Sequence, residues 1–210
     1  MKNCSVRGYW LTKLFVLLIM FASFFLTSTT FAQQDNGKER LILYHSLTGN
    51  TKACCEALQK ALNADIIEIH DLVDRSGRWG FFKTAIGSLL GMHTKIEPEN
   101  PDLSSYPNII LASPIWTGKL SMAIRTLIDK NTFEGKKVVI FITTNAYEKE
   151  KYIEKSKNLV REKGGDVVGY FQVAVQEEMN GEKVDKTKEQ FVNEALEFVP
   201  EIKKSFSIIP

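Results

Sequence analysis
From about residue 39 onward the chain reads as a doubly wound α/β domain built on a five-stranded parallel sheet. Three observations carry that reading. Five short apolar runs alternate with segments of helical periodicity, the pattern of strands whose crossovers cover both faces of one sheet. The first run passes into a helix through residues 46–51, small or polar apart from Leu47, a strand–loop–helix unit that leaves backbone N–H groups exposed at a helix start. The composition, 44% hydrophobic and 25% charged, is that of a globular chain able to bury such a sheet.

Taken in order, Leu41 to His45 is the first strand, and Thr51 to Asn63 is a helix with Cys54, Leu58, Ala61 and Leu62 on one face. Asp65 to Ile69 is the second strand and Asn108 to Ser113 the third, followed by a helix from about Ser121 to Lys130. Lys137 to Thr143 is the fourth strand, with a helix from about Glu148 to Lys163, and Val167 to Val175 is the fifth. Asn180-Gly181 marks a turn. Asp185 to about Lys204 reads as a closing helix with Phe191, Ala195 and Phe198 inward. Between the second and third strands, Ser76 to Met92 places Trp79, Phe82, Ile86, Leu89 and Leu90 at helical spacing, as in a packed crossover helix. A lid or membrane-facing helix is the alternative there.

The N-terminus is set apart from the fold. Lys2, Arg7 and Lys13 precede an apolar run from Leu14 to Leu26, and Thr30-Phe31-Ala32 resembles a small-x-small cleavage site. The run is shorter than the roughly 20 apolar residues of a bilayer-spanning helix, so residues 1–32 read as a cleaved signal peptide, with an uncleaved signal anchor as the alternative. Residues 33–38 then form a short linker, 39–205 the domain and 206–210 a tail. The expected location is outside the cytoplasm, periplasmic or secreted, or anchored with the domain outside. Without the leader, 24 basic side chains stand against 25 acidic ones, a net charge of −1. That balance argues against nucleic acid, which calls for a strongly basic face.

Other chemistries lack residues. Beyond the leader the cysteines are the neighbours Cys54 and Cys55, with no disulfide framework, CxxC motif or zinc spacing, and they read as core. His45 reads as a strand-closing residue rather than an acid or base, and His70 and His93 have no sequence partners that suggest a metal. No GxSxG elbow or HExxH motif occurs.

The loop Ser46-Leu47-Thr48-Gly49-Asn50-Thr51 carries the chemistry. Free N–H groups and the positive end of the helix dipole attract an anion there. Ser46, Thr48, Asn50 and Thr51 add side-chain donors, and Gly49 lets the backbone approach closely. With no Lys or Arg inside the loop, a monophosphate suits it better than a triphosphate, and the loop is not a Walker sequence. An ordinary helix cap would also use Thr or Asn at such a place.

All six positions of this loop resemble the FMN phosphate-binding loop of flavodoxins. Asn108-Ile-Ile-Leu-Ala-Ser-Pro-Ile-Trp-Thr-Gly118 resembles the third strand of that family and the loop whose aromatic residue flanks the flavin. Val138 to Thr143, opening into Thr144-Asn145-Ala146-Tyr147, corresponds in position to the family's other isoalloxazine loop. The resemblance spans Glu39 to about Ser205. It implies a flavodoxin-like strand order, 2-1-3-4-5, with FMN as cofactor. The contacts it implies are Ser46, Leu47, Thr48, Gly49, Asn50 and Thr51 on the phosphate side, and Pro114, Ile115, Trp116, Thr117, Gly118, Thr144, Asn145 and Tyr147 around the ring. Gly118 is implied to allow a peptide flip beside the flavin N5. Two departures stand out. The loop after Trp116, Thr117-Gly118-Lys119-Leu120, is short and basic where flavodoxin electron carriers are usually longer and acidic, which is similar to the broader flavodoxin-like flavoproteins and quinone reductases. The loop after the fourth strand lacks the glycines often found there.

The resemblance implies electron transfer with FMN as the redox centre and no protein nucleophile. The implied partner is a redox protein or a membrane-linked electron donor. Reduction of a quinone or other small acceptor is one alternative, and a non-redox binding domain on the same fold is another. Expressed in a bacterium with its leader, the protein is expected outside the cytoplasm with Gln33 as its first residue. N-terminal mass spectrometry checks this: an intact start in soluble cytosol rejects the leader reading, and one in the membrane fraction selects the anchor.

Overall fold
The computed structural model describes residues 39–73 and 92–207. The expected leader and linker, and all but the last residue of the crossover helix expected at Ser76 to Met92, lie outside the described residues. Strand β1 is Arg40–Tyr44, helix α1 Asn50–Leu62 and strand β2 Asp65–Glu68. Short strands β3 (His70–Asp71) and β4 (Ile96–Glu97) pair antiparallel. There follow β5 (Asn108–Trp116), β6 (Lys119–Leu120), α2 (Met122–Lys130), β7 (Lys137–Thr144), α3 (Glu150–Arg161) and β8 (Asp166–Ala174). Strands β9 (Gln176–Met179) and β10 (Glu182–Asp185) precede helices α4 (Lys188–Glu197) and α5 (Val199–Ser207).

The main sheet runs β2-β1-β5-β7-β8 with all four pairings parallel. This is the expected 2-1-3-4-5 order, and the chain has a flavodoxin-like α/β fold. The alternation of strand side chains divides the core in two. Ile42, Tyr44, Ile110, Ala112, Val139 and Phe141 face α1, α4 and α5. Leu41, Leu43, Ile109, Leu111, Val138 and Ile140 face α2 and the inner side of α3. Because both faces are covered, the central strands are continuous apolar runs rather than alternating ones. Cys54 and Cys55 lie fully inside the first of these cores, and burial pushes the Cys54 thiol up to about 12. At neutral pH it is a packing group, not a thiolate nucleophile.

The short strands β3, β4 and β6 were not anticipated, and three longer features also differ from the sequence reading. The expected closing helix is two helices, because Pro200 has no N–H to donate and its ring crowds the carbonyl four residues back. Its first half starts at Lys188 rather than Asp185, capped by a reciprocal pair: Gln190 N–H to Thr187 Oγ1 at 3.3 Å and Thr187 N–H to Gln190 Oε1 at 2.7 Å. The Asn180-Gly181 turn closes a β-hairpin, with φ of 55° and 83° at its two residues, the doubly left-handed geometry that suits a two-residue hairpin. Its strands are too charged for sequence periodicity to reveal. Finally, β5 runs on through Trp116 instead of ending at Ser113.

Among the described residues no helix is long and apolar enough to cross a membrane. Leu58, fully buried in the α1 core, tests the packing: Leu58→Ala is expected to lower unfolding free energy by about 2–5 kcal/mol, measured by chemical denaturation.

Candidate functional site
The β1–α1 loop follows directly from strand geometry. His45 N–H still bonds Ala112 O at 3.2 Å, after which the chain leaves the sheet and Leu47, Thr48 and Gly49 are exposed. Gly49 caps α1 in the left-handed region, φ 88°, and contributes no side-chain cap. Its own N–H donates to Ser46 Oγ at 3.1 Å. The first intrahelical bond shown is Ala53 N–H to Gly49 O, 3.0 Å, so the N–H groups of Asn50, Thr51 and Lys52 stand ahead of the helical ladder. Lys52 is held aside by Glu68 at 3.0 Å, and Glu68 also accepts the Tyr44 hydroxyl at 2.7 Å.

Thr51 sits differently from the other hydroxyl residues of the loop. It is buried, with Oγ1 2.7 Å from Thr143 Oγ1 on β7. The side chain thus ties the start of α1 to the sheet, while Ser46, Thr48 and Asn50 remain on the accessible side. Thr143 was missed from sequence because nothing local links two residues 92 positions apart.

The β5–β6 connection is a two-residue hairpin. Ile115 pairs with Leu120 and Trp116 with Lys119, and Thr117 and Gly118 take φ of 51° and 73°. A β-branched residue at positive φ is strained; the Thr117 hydroxyl donates to Trp116 O at 2.7 Å. Gly118 is required twice over, since a Cβ there would lie 2.8 Å from the Tyr152 ring. At the base of the hairpin, Ser113 Oγ accepts Ser121 N–H at 2.9 Å, joining Pro114 and its neighbours to the start of α2. Trp116 is half-buried and meets His45 edge-on, with centroids 6.2 Å apart and planes at 86°. Strands β1 and β5 therefore bring the first and second loops together at the point where strand order reverses, the place at which doubly wound sheets bind ligands.

The β7–α3 loop ends the neighbouring strand. Thr144 is buried and its hydroxyl donates to Ala146 O at 2.7 Å, leaving Asn145 exposed. Tyr147 is 61% exposed, and its hydroxyl donates to Glu194 Oε1 on α4 at 2.7 Å. That bond, with partial burial, holds the phenol up to about 12. Lys186 donates to the other oxygen of Glu194 at 2.5 Å. The loop is thus braced from the α4 side by residues the sequence did not single out.

His45 is buried with Nδ1 2.9 Å from Ile69 O. A carbonyl only accepts, so Nδ1 carries the proton in the neutral ring. Burial lowers its pKa below the ordinary 6.5, outweighing the Ile69 carbonyl and nearby carboxylates.

No protein-family model matches the chain, and no curated protein matches it. Solved structures do. A flavoprotein from Lactobacillus acidophilus, crystallised in complex with FMN, is 22% identical over 65% of this chain and 93% of its own, with a TM-score of 0.53. A candidate flavoprotein from Bacteroides uniformis is 18% identical, covering 75% and 97%, with a TM-score of 0.60. One from Bacteroides eggerthii is 19% identical, covering 78% and 99%, with a TM-score of 0.56. These likenesses are of fold, and they agree with the strand order.

His45 makes the structure sensitive to acid. Its folded-state pKa is depressed, so the stability it contributes is present above the unfolded value near 6.5 and is lost as pH falls from there toward the folded value. The melting temperature is expected to drop between pH 7.5 and 5.5. His45→Asn, which retains a donor for Ile69 O, is expected to flatten that slope in a calorimetric pH series.

Proposed function
We propose that the chain binds FMN and transfers electrons through it. The observation that carries this is the open N-terminus of α1, presented by a hydroxyl-rich loop beside an aromatic side chain at the switch point of the sheet. The residues fit the group. Gly49 has open space where a Cβ would be, so a phosphate can approach the first-turn N–H groups closely, with Ser46, Thr48 and Asn50 as further neutral donors. Trp116 supplies an aromatic face or edge for a flat ring. Thr117, Gly118, Thr144, Asn145 and Tyr147 would flank it from the second and third loops. When bound, FMN supplies one- or two-electron chemistry; these residues hold and orient it and limit its contact with water. The likeness to the FMN-bound Lactobacillus flavoprotein supports the same reading.

An exported domain would lie away from the cytoplasmic nicotinamide pool, which favours a redox protein or membrane-linked donor as partner. One observation favours a second reading, reduction of a quinone or other small acceptor. The Thr117-Gly118 turn is as short as a hairpin allows and is followed by Lys119 rather than by acidic residues, leaving less surface for a protein partner beside the ring.

The purified protein is expected to show flavin absorption, and the apoprotein to bind FMN far more tightly than riboflavin. Thr48→Ala and Asn50→Ala are each expected to weaken FMN binding by about 1–3 kcal/mol, with riboflavin affinity unaffected. Trp116→Ala is expected to raise flavin fluorescence and shift the midpoint potentials. Equal affinity for FMN and riboflavin in a titration would sink the phosphate assignment. A Trp116→Ala protein unchanged in fluorescence and potential would displace the ring from this crevice.

A further inference from the structure
Beside the β5–β6 hairpin a cleft of about 480 Å³ opens between α2 and α3. Its walls include Lys119, Leu120, Arg125, Lys155, Leu159 and Glu162. We propose that this cleft is a second binding site, for a small organic anion: an aryl or alkyl group bearing one carboxylate or phosphate. The charged group would lie on Arg125 and Lys155, and the apolar group against Leu159.

The volume is within the range of small-molecule sites, roughly 300–1,000 Å³. Arg125 is half-buried, and its guanidinium is fixed in place by Nε to Leu120 O at 3.1 Å and Nη2 to Met92 O at 3.4 Å. Both partners are neutral carbonyls, so the group is oriented without being neutralised, and Nη1 is left to donate to a ligand. Lys155 extends near the Tyr152 ring, its Nζ 6.0 Å from the centroid, and makes no ion pair with a described carboxylate. Arg125 and Lys155 face the cleft, with Glu162 the one carboxylate among its described lining residues, so the local field favours an anion. A partly desolvated guanidinium recognises a planar carboxylate or a phosphate through paired N–H donors, more strongly than it would in open water. A purely inorganic ion would leave the partly exposed Leu159 side chain uncovered, which is why the ligand has an apolar part. The site shares the Gly118 turn with the FMN reading, but Arg125 and Lys155 lie on α2 and α3, away from the β1–α1 loop.

The test is a backbone amide NMR titration of the full chain with benzoate, phenyl phosphate and, as the neutral counterpart, benzamide. Saturable shifts at Leu120, Asn158 and Leu159 with either anion, and none with benzamide, are expected. Binding of one anion alone would support the site and name its charged group. Arg125→Gln is expected to weaken binding about tenfold, and Glu162→Gln to strengthen it. Lys155→Gln, at an exposed position that cannot compromise folding, is expected to weaken it several-fold. Shifts confined to Thr48–Thr51 would report the phosphate loop instead and would overturn the proposal. So would equal responses to benzamide and the anions, or anion affinities unchanged in all three variants.

Discussion
Strands β1, β5 and β7 bury side chains on both faces, and a backbone buried in that way needs every N–H and C=O paired within the sheet. Parallel pairing between neighbours satisfies them, and helices on the two faces supply the covering layers. With all five strands parallel, every strand leaves the sheet at the same edge. The three loops of the candidate site meet for that reason, whatever residues they contain. The reversal of order at β1 separates the crossovers to opposite faces and leaves a crevice between the β1 and β5 loops.

Within this frame the site is assembled from neutral groups. Lys52, the cation nearest the β1–α1 loop in sequence, is engaged by Glu68, and burial disfavours the charged form of His45. What the crevice offers an anion is therefore backbone N–H groups, hydroxyls and the α1 dipole. The cationic side chains Arg125 and Lys155 lie instead around the α2–α3 cleft. Two concave regions thus share the β5–β6 hairpin as a wall but present opposite electrostatic designs, one built on dipoles and the other on fixed charge.

The hairpin itself is the most constrained segment. Thr117 holds a left-handed conformation unfavourable for a β-branched residue. It persists because cross-strand pairing on either side and the Tyr152 ring beneath Gly118 determine the turn. In sequence, Thr117-Gly118 read only as part of the short basic loop after Trp116, since Lys119-Leu120 is too short a strand to show periodicity. The β9–β10 strands were hidden differently: Gln176–Met179 and Glu182–Asp185 are largely polar and exposed on both faces, so no alternation marks them. Pro200 lies inside the closing helix expected from Asp185 to about Lys204, and the structure divides that helix just before it.

Amino-acid order by itself determined the two-sided strands, the amphipathic helices, the Asn180-Gly181 turn and the strand–loop–helix unit at Ser46–Thr51, because each depends on residues within a few positions of one another. Strand order was legible only through resemblance, since periodicity says which runs are buried and not which are neighbours. Tertiary structure alone decided that the Thr51 hydroxyl turns inward to Thr143, that Trp116 rests against His45, and that Tyr147 is held by Glu194. Those pairs lie 92, 71 and 47 residues apart along the chain. Local propensity acts over one or two turns of helix, so contacts at such separations exist only once the sheet has placed β1, β5 and β7 side by side.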